Sequence, residues 1–208
     1  MITLFGAGTT NTRKVSIELE ELGVAYAPRP INLAQAEQRE EWFLAKAPNN
    51  KVPFIEDAST GMTIWETGAI LIYLADHYDP EARILAKAGS KRYAAIQATF
   101  FQAAHIGPNL GRLNDQLTAP DEKKIPEMIA LFYGEAVRLA DVLDRMLSHE
   151  NPFLAEDYSI ADIMHYPWLK AALDMRFPAL MAKPRTLEWL LRIADRPAVT
   201  RGMAAFSQ

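Results

Sequence analysis

Strand-like patterning in this chain is confined to its first 77 residues, and that asymmetry limits the fold more than any other feature. The apolar run Ile2 to Phe5 reads as an opening strand. After Gly6-Ala7-Gly8, the polar cluster Thr9-Thr10-Asn11-Thr12 precedes Val15, Leu19 and Leu22, whose i, i+4, i+7 spacing makes one apolar face of a helix ending at Gly23. Val24 to Ile31, with Tyr26 and two prolines, suits an edge strand, and Glu37 to Lys46 a short helix stopped before Pro48. Val52 to Glu56 and Met62 to Trp65 flank the turn-rich Asp57 to Gly61 and read as a hairpin. Thr67 to His77 is a strongly apolar helix. The resulting order, β-α-β-α-β-β-α, predicts helices packed on a mixed sheet.

From about residue 90 only helical patterns remain, at roughly 90–116, 121–149, 160–175 and 185–195. The expected organisation is an α/β domain over 1–80, a linker over 81–89 and an all-α domain over 90–208. Asp79-Pro80 and the small residues Ala86, Ala88 and Gly89 mark the break.

Composition then removes whole classes of function. Cysteine is absent, which excludes disulfide frameworks, thiolate zinc sites, Cys-X-X-Cys redox pairs and cysteine nucleophiles. Any thiol chemistry must therefore use a substrate's sulfur. With 22 basic and 26 acidic residues the net charge is −4, and no Lys/Arg cluster offers a nucleic-acid footprint. No run approaches the ~18 apolar residues of a membrane span. The opening Met1 to Gly6 also lacks a basic, apolar leader, so a cytoplasmic protein is expected.

Three stretches together resemble the glutathione transferases, specifically their nu class with disulfide-bond reductase activity. Pro48-Asn49-Asn50-Lys51-Val52-Pro53, followed by Trp65-Glu66-Thr67-Gly68-Ala69-Ile70-Leu71-Ile72-Tyr73-Leu74, is similar to the family's glutathione-binding core. Phe101-Gln102-Ala103-Ala104-His105-Ile106-Gly107-Pro108-Asn109-Leu110-Gly111 resembles the nu-class helix-four motif. Tyr158-Ser159-Ile160-Ala161-Asp162-Ile163 resembles a buried helix start found across the superfamily. The resemblance implies a thioredoxin-like domain followed by helices, glutathione as co-substrate, and a homodimer. Nucleic acid and membrane are not expected partners.

The resemblance also implies a cis Val52-Pro53 bond that turns the Val52 N–H and C=O outward to pair with the cysteinyl backbone of glutathione. Glu66 and Thr67 stand at a helix start, where such residues serve as caps or bind a charged ligand, because a helix N-terminus attracts a carboxylate and a nearby Glu answers an ammonium. By resemblance they hold the γ-glutamyl end. Thr9, Thr10 and Asn11 read as caps or as donors to a sulfur at the start of helix one. The nu-class pattern implies Asn11 as the main thiol contact and Thr9 as its support. Thr10 stands where relatives commonly carry proline, and Thr12 where they carry glycine.

Gln38 aligns with a nu-class glutathione contact, and Lys51 is placed to neutralise the glycyl carboxylate. Relatives add an arginine from the partner subunit's fifth helix, but the corresponding Ala130-Leu131-Phe132-Tyr133 has no basic residue. Phe100, Phe101, His105, Tyr166 and Trp168 are either core aromatics or the wall of an acceptor pocket. His105 has no second ligand at metal-binding spacing, so no metal is expected. Ser159 with Asp162 reads as a capping box. The leading expectation is an enzyme that activates the glutathione thiol for disulfide reduction, conjugation or peroxide reduction. The alternative is a non-catalytic regulator or interaction protein on the same fold. Such proteins usually lose the thiol-contact residues or the glutamyl grip.

Overall fold

The computed structural model describes residues 1–206, so the last two positions of the expected helical domain lie outside the described residues. Four strands, β1 (Ile2–Gly6), β2 (Tyr26–Pro30), β3 (Phe54–Asp57) and β4 (Met62–Trp65), form one sheet in the order β2-β1-β3-β4. β1 and β2 are parallel, while β1–β3 and β3–β4 are antiparallel. Side chains alternate across a strand, so β1 feeds two cores. Ile2 and Leu4 join a large core with α1 (Thr10–Leu22) and α3 (Thr67–Tyr78), while Phe5 stacks on Phe54 beside Phe43 of α2 (Glu41–Leu44) in a smaller cluster. Helices thus cover both faces of a thioredoxin-like mixed sheet.

The short helix expected over 37–46 is divided. Glu37–Arg39 is a 3₁₀ turn, and the extended backbone of Glu40 separates it from α2. Beyond the sheet the chain is helical: α4 (Ser90–Phe101), α5 (Gly107–Thr118), α6 (Pro126–Met146), α7 (Ile160–Asp174), α8 (Pro178–Met181), α9 (Pro184–Ala194) and α10 (Pro197–Ala204). The segment expected as one helix over 90–116 is α4 and α5 joined by a π-helical turn, Gln102–Ile106. α8 and α10 have no counterpart among the sequence expectations. Each starts with proline in its first turn, which presets a helical φ where the missing N–H costs nothing.

One apolar core runs through the whole molecule, from Ile2 and Leu4 through Leu71 to Leu143, Ile163 and Trp189. α10 closes on α1: Ser16 Oγ donates to the Gly202 carbonyl at 2.6 Å, and Gly202 lies so near the Ile17 backbone that a Cβ there would collide with it. α7 is anchored by the capping box of Ser159 and Asp162. Asp162 also accepts from Trp189 Nε1 at 2.7 Å and Leu154 N at 3.1 Å. Burial pushes its carboxyl up to about 6, with these donors working the other way. So anchored, α7 packs on α1 and carries Trp168 to the first turn of that helix. No helix among the described residues is long and apolar enough to cross a membrane.

Candidate active site

The sheet's β3 end, the N-termini of α1 and α3, and the π-helical turn surround a cavity of about 340 Å³. Its rim toward the sheet is formed by Asn49, Lys51, Val52 and Pro53, and the Val52-Pro53 bond is cis. Among the described residues nothing in the protein pairs with the Val52 N–H or C=O. Glu66 and Thr67 face the same space. Glu66 is the residue preceding α3, and its side chain does not cap the helix. Its carboxylate instead accepts from Asn49 Nδ2 at 3.2 Å. Its φ of 70° is unusual for any residue but glycine, and such conformations cost ~1 to 3 kcal/mol, persisting where the surroundings impose them. Thr67 and Gly68, which open α3, line the cavity and no side chain caps the helix, an arrangement that favours an anion.

α1 differs at its own N-terminus. Thr9 Oγ1 accepts from Thr12 N at 3.2 Å, and the two hydroxyls share a hydrogen bond of 3.0 Å. Thr12 Oγ1 further accepts from Ala7 N at 3.3 Å. Thr12 is thus built into the turn between β1 and α1. Thr9 and Thr10 line a second cavity, of about 350 Å³, beyond Trp168. Thr9 acts in this structure as the helix cap, and neither threonine lines the first cavity. Asn11 does line it. The Trp168 indole N–H donates to Asn11 Oδ1 at 2.8 Å, which leaves Nδ2, a two-hydrogen donor, as the free end of the amide.

Five other expected positions fall elsewhere. Gln38 sits on the 3₁₀ turn outside the lining, its Oε1 shielded and without a partner. Phe101 and His105 pack at a tilt with ring centroids 5.7 Å apart and, with Phe100, line a separate hollow between α4 and α6. Tyr166 is buried against Trp189 in the core. Only Trp168 of the expected acceptor wall reaches the cavities, where it stands between them. Successive helical residues point about 100° apart and residues four apart share a face, so with Gln102 turned to the cavity, Phe101 and His105 are turned together into the hollow by α6.

Sequence reasoning missed Lys14 and Gln102, which line the floor together. The signals available were spacing, since Lys14 follows Asn11 by three residues and shares its helix face, and the place of Gln102 in the stretch Phe101 to Gly111.

Residues 1–76 match the family model described as glutathione S-transferase, N-terminal domain. The chain is 34% identical over 208 residues to the disulfide-bond oxidoreductase YfcG of Escherichia coli K12, covering 98% of this chain and 94% of that one. The chain belongs to the glutathione S-transferase family. Among solved family structures, a glutathione transferase homologue from Lodderomyces elongisporus, with two glutathiones per subunit, superposes with a TM-score of 0.91 at 30% identity, covering 98% of each chain. A glutathione transferase from Pseudomonas putida, with one glutathione disulfide per subunit, gives 0.88 at 32% identity, covering 97% of this chain and 90% of that one.

Proposed function

We propose that this chain is a glutathione-dependent enzyme that activates the glutathione thiol and uses it to reduce disulfides. One observation carries the reading: in a chain without cysteine, the free Asn11 amide, the unpaired Val52 backbone and the uncapped start of α3 line a single cavity. A tripeptide thiol meets each group in turn. The α3 amides take the γ-glutamyl carboxylate, Glu66 its ammonium, Val52 the cysteinyl backbone, and Lys51 the glycyl carboxylate. Asn11 Nδ2 then donates to the sulfur. An unperturbed thiol of pKa ~8.5 is only a few per cent thiolate at neutral pH, so a donor to the anion raises the reactive fraction.

Disulfide exchange requires a thiolate attacking a disulfide sulfur, and here that sulfur must belong to glutathione. The first glutathione attacks the substrate, forming a mixed disulfide and releasing one substrate thiolate, which takes up a proton. A second glutathione attacks the mixed disulfide, giving oxidised glutathione and the second substrate thiol. The second cavity, walled by Leu110, Leu113, Met175 and Phe177 beyond Trp168, gives an apolar substrate a place beside the sulfur. The disulfide-reducing relative and the relative holding glutathione disulfide support this choice of reaction.

The same reading includes a two-fold homodimer. Met62 and Trp65 on the outer strand β4, and Tyr93 and Phe100 on α4, are exposed apolar side chains of the kind that a partner subunit covers. Light scattering should give twice 23.3 kDa, and a monomer at micromolar concentration refutes the dimer.

The reaction is tested with 2-hydroxyethyl disulfide and glutathione, following oxidised glutathione with a coupled reductase. Turnover is expected, with Asn11→Ala slower by ~10² to 10³, the usual cost of removing one donor to an anion at a reacting centre. Absence of glutathione-dependent turnover, or full activity in folded Asn11→Ala, overturns the reading.

A further inference from the structure

One turn below Asn11 the cavity floor carries a second polar patch that the reaction above leaves unused. Lys14 is 1% exposed, and its Nζ donates to Gln102 Oε1 at 2.7 Å. Because an amine donates to the oxygen end of an amide, this bond orients Gln102 and leaves Nε2 as its other end. That Nε2 is shielded from solvent and has no partner. Gln102 opens the π-helical turn, and Gly107 follows it: a Cβ at position 107 would stand 3.1 Å from Nε2, so the glycine makes room for the amide. π-turns of this kind occur frequently at functional sites. A buried donor left unpaired costs ~1 to 3 kcal/mol, a cost that an accepting ligand atom would relieve.

The titratable groups around this patch leave the Lys14 amine without an acidic partner. On α1, Glu18 lies one turn beyond Lys14 with neither oxygen partnered. Burial, with the charge of Asp79, pushes its carboxyl well above the usual range and toward the neutral form. On α7, His165 is pushed down to about 3 by burial, and its Nδ1 lies 2.8 Å from the Ala161 carbonyl. Burial likewise holds the Lys14 amine well below its ordinary value. Asp79, buried at the end of α3, is occupied by Ile84 N and Arg83. Lys14 therefore has no counter-ion of its own.

We propose that Lys14 and Gln102 complete the thiol site: the Lys14 amine accepts the thiol proton, and the ammonium so formed, with Gln102 Nε2, donates to the thiolate alongside Asn11. The S–H bond breaks with its electron pair left on sulfur, and an N–H bond forms on Lys14. A neutral pair becomes an ion pair, so the site gains no net charge. The inference rests on the glutathione reading, whose own test is the wild-type protein.

Glutathione bound to each protein is titrated by the ultraviolet absorbance of its thiolate, and affinity for S-methylglutathione, which has no thiol proton, is measured alongside. Wild type should hold the thiol pKa below that of free glutathione. Lys14→Met should raise the bound pKa by about one unit, a ten-fold loss of thiolate below both values, with S-methylglutathione affinity unchanged. Gln102→Leu, which keeps the amine, should move it the same way by less. Unshifted pKa values in both folded variants overturn the inference and leave the glutathione reading standing. If Lys14→Met does not fold, an unshifted Gln102→Leu overturns it alone. A wild type that binds glutathione without lowering its pKa, or does not bind it, overturns the inference through the reading beneath it.

Discussion

Replacing Trp168 with phenylalanine removes one hydrogen-bond donor while keeping an aromatic wall, and so isolates how the Asn11 amide is held. Either end of a side-chain amide fits the same space, but only one orientation presents a donor to the sulfur. The Trp168 N–H, 2.8 Å from Asn11 Oδ1, selects that orientation. A net hydrogen bond is worth ~1 kcal/mol, which corresponds to roughly a five-fold preference between the two orientations. Without it the donor faces the sulfur about half the time, and in the other half a carbonyl oxygen faces an anion. Trp168→Phe should therefore lower kcat/KM for disulfide reduction by about two-fold and move the pH–rate profile to higher pH. This is far less than the ~10² to 10³ expected for Asn11→Ala. The deciding measurement is a double-mutant cycle: if the tryptophan acts through Asn11, adding Trp168→Phe to Asn11→Ala costs nothing further. The same loss in both backgrounds, or full activity in Trp168→Phe, refutes the argument and assigns Trp168 to the wall of the second cavity.

Glu66→Gly should separate stability from function, because glycine accepts a φ of 70° without strain while removing the carboxylate. Chemical denaturation should show a gain of about 1 kcal/mol, with calorimetry showing weakened glutathione binding; unchanged affinity removes Glu66 from the site. Thr9→Ala deletes the α1 cap and should lower stability by ~1 kcal/mol, with a much smaller effect on turnover than Asn11→Ala. A loss of rate as large as that of Asn11→Ala would return Thr9 to the thiol contact. Asp162 has a folded pKa of about 6 against an ordinary 3.8, so the folded state holds its proton more tightly, and the contribution is present below pH 3.8 and lost as pH rises through 6. Urea unfolding of wild type relative to Asp162→Asn should show a difference changing by on the order of 3 kcal/mol across that window. A flat difference shows that Asp162 is not shifted.

The local grammar of this chain is clear in its sequence. The alternation of Ile2 to Phe5, the 3.6-residue spacing of Val15, Leu19 and Leu22, and the Ser159–Asp162 capping box depend on neighbours a few residues away, so strand, helix and cap are decided where they are written. The lack of cysteine likewise determines that any reacting sulfur comes from outside. Asn11, Val52-Pro53 and Glu66-Thr67 were marked by spacing and resemblance together, and the folded chain brings them onto one cavity.

What the sequence left undecided lies at long range. Asn11 meets Trp168 across 157 residues and Lys14 meets Gln102 across 88, and each pairing exists because helices of the second domain pack on α1. A lysine or glutamine on a helix otherwise reads as solvated, since no local pattern tells whether its face meets water or another helix. The helix carrying Phe101 shows the same limit within one element: Phe101 and His105 share a face that meets a separate hollow, and their neighbour Gln102 takes the cavity. Periodicity reports which residues share a face. Packing decides what that face meets, and at this cavity it supplies the orientation of the Asn11 amide and the burial of Lys14.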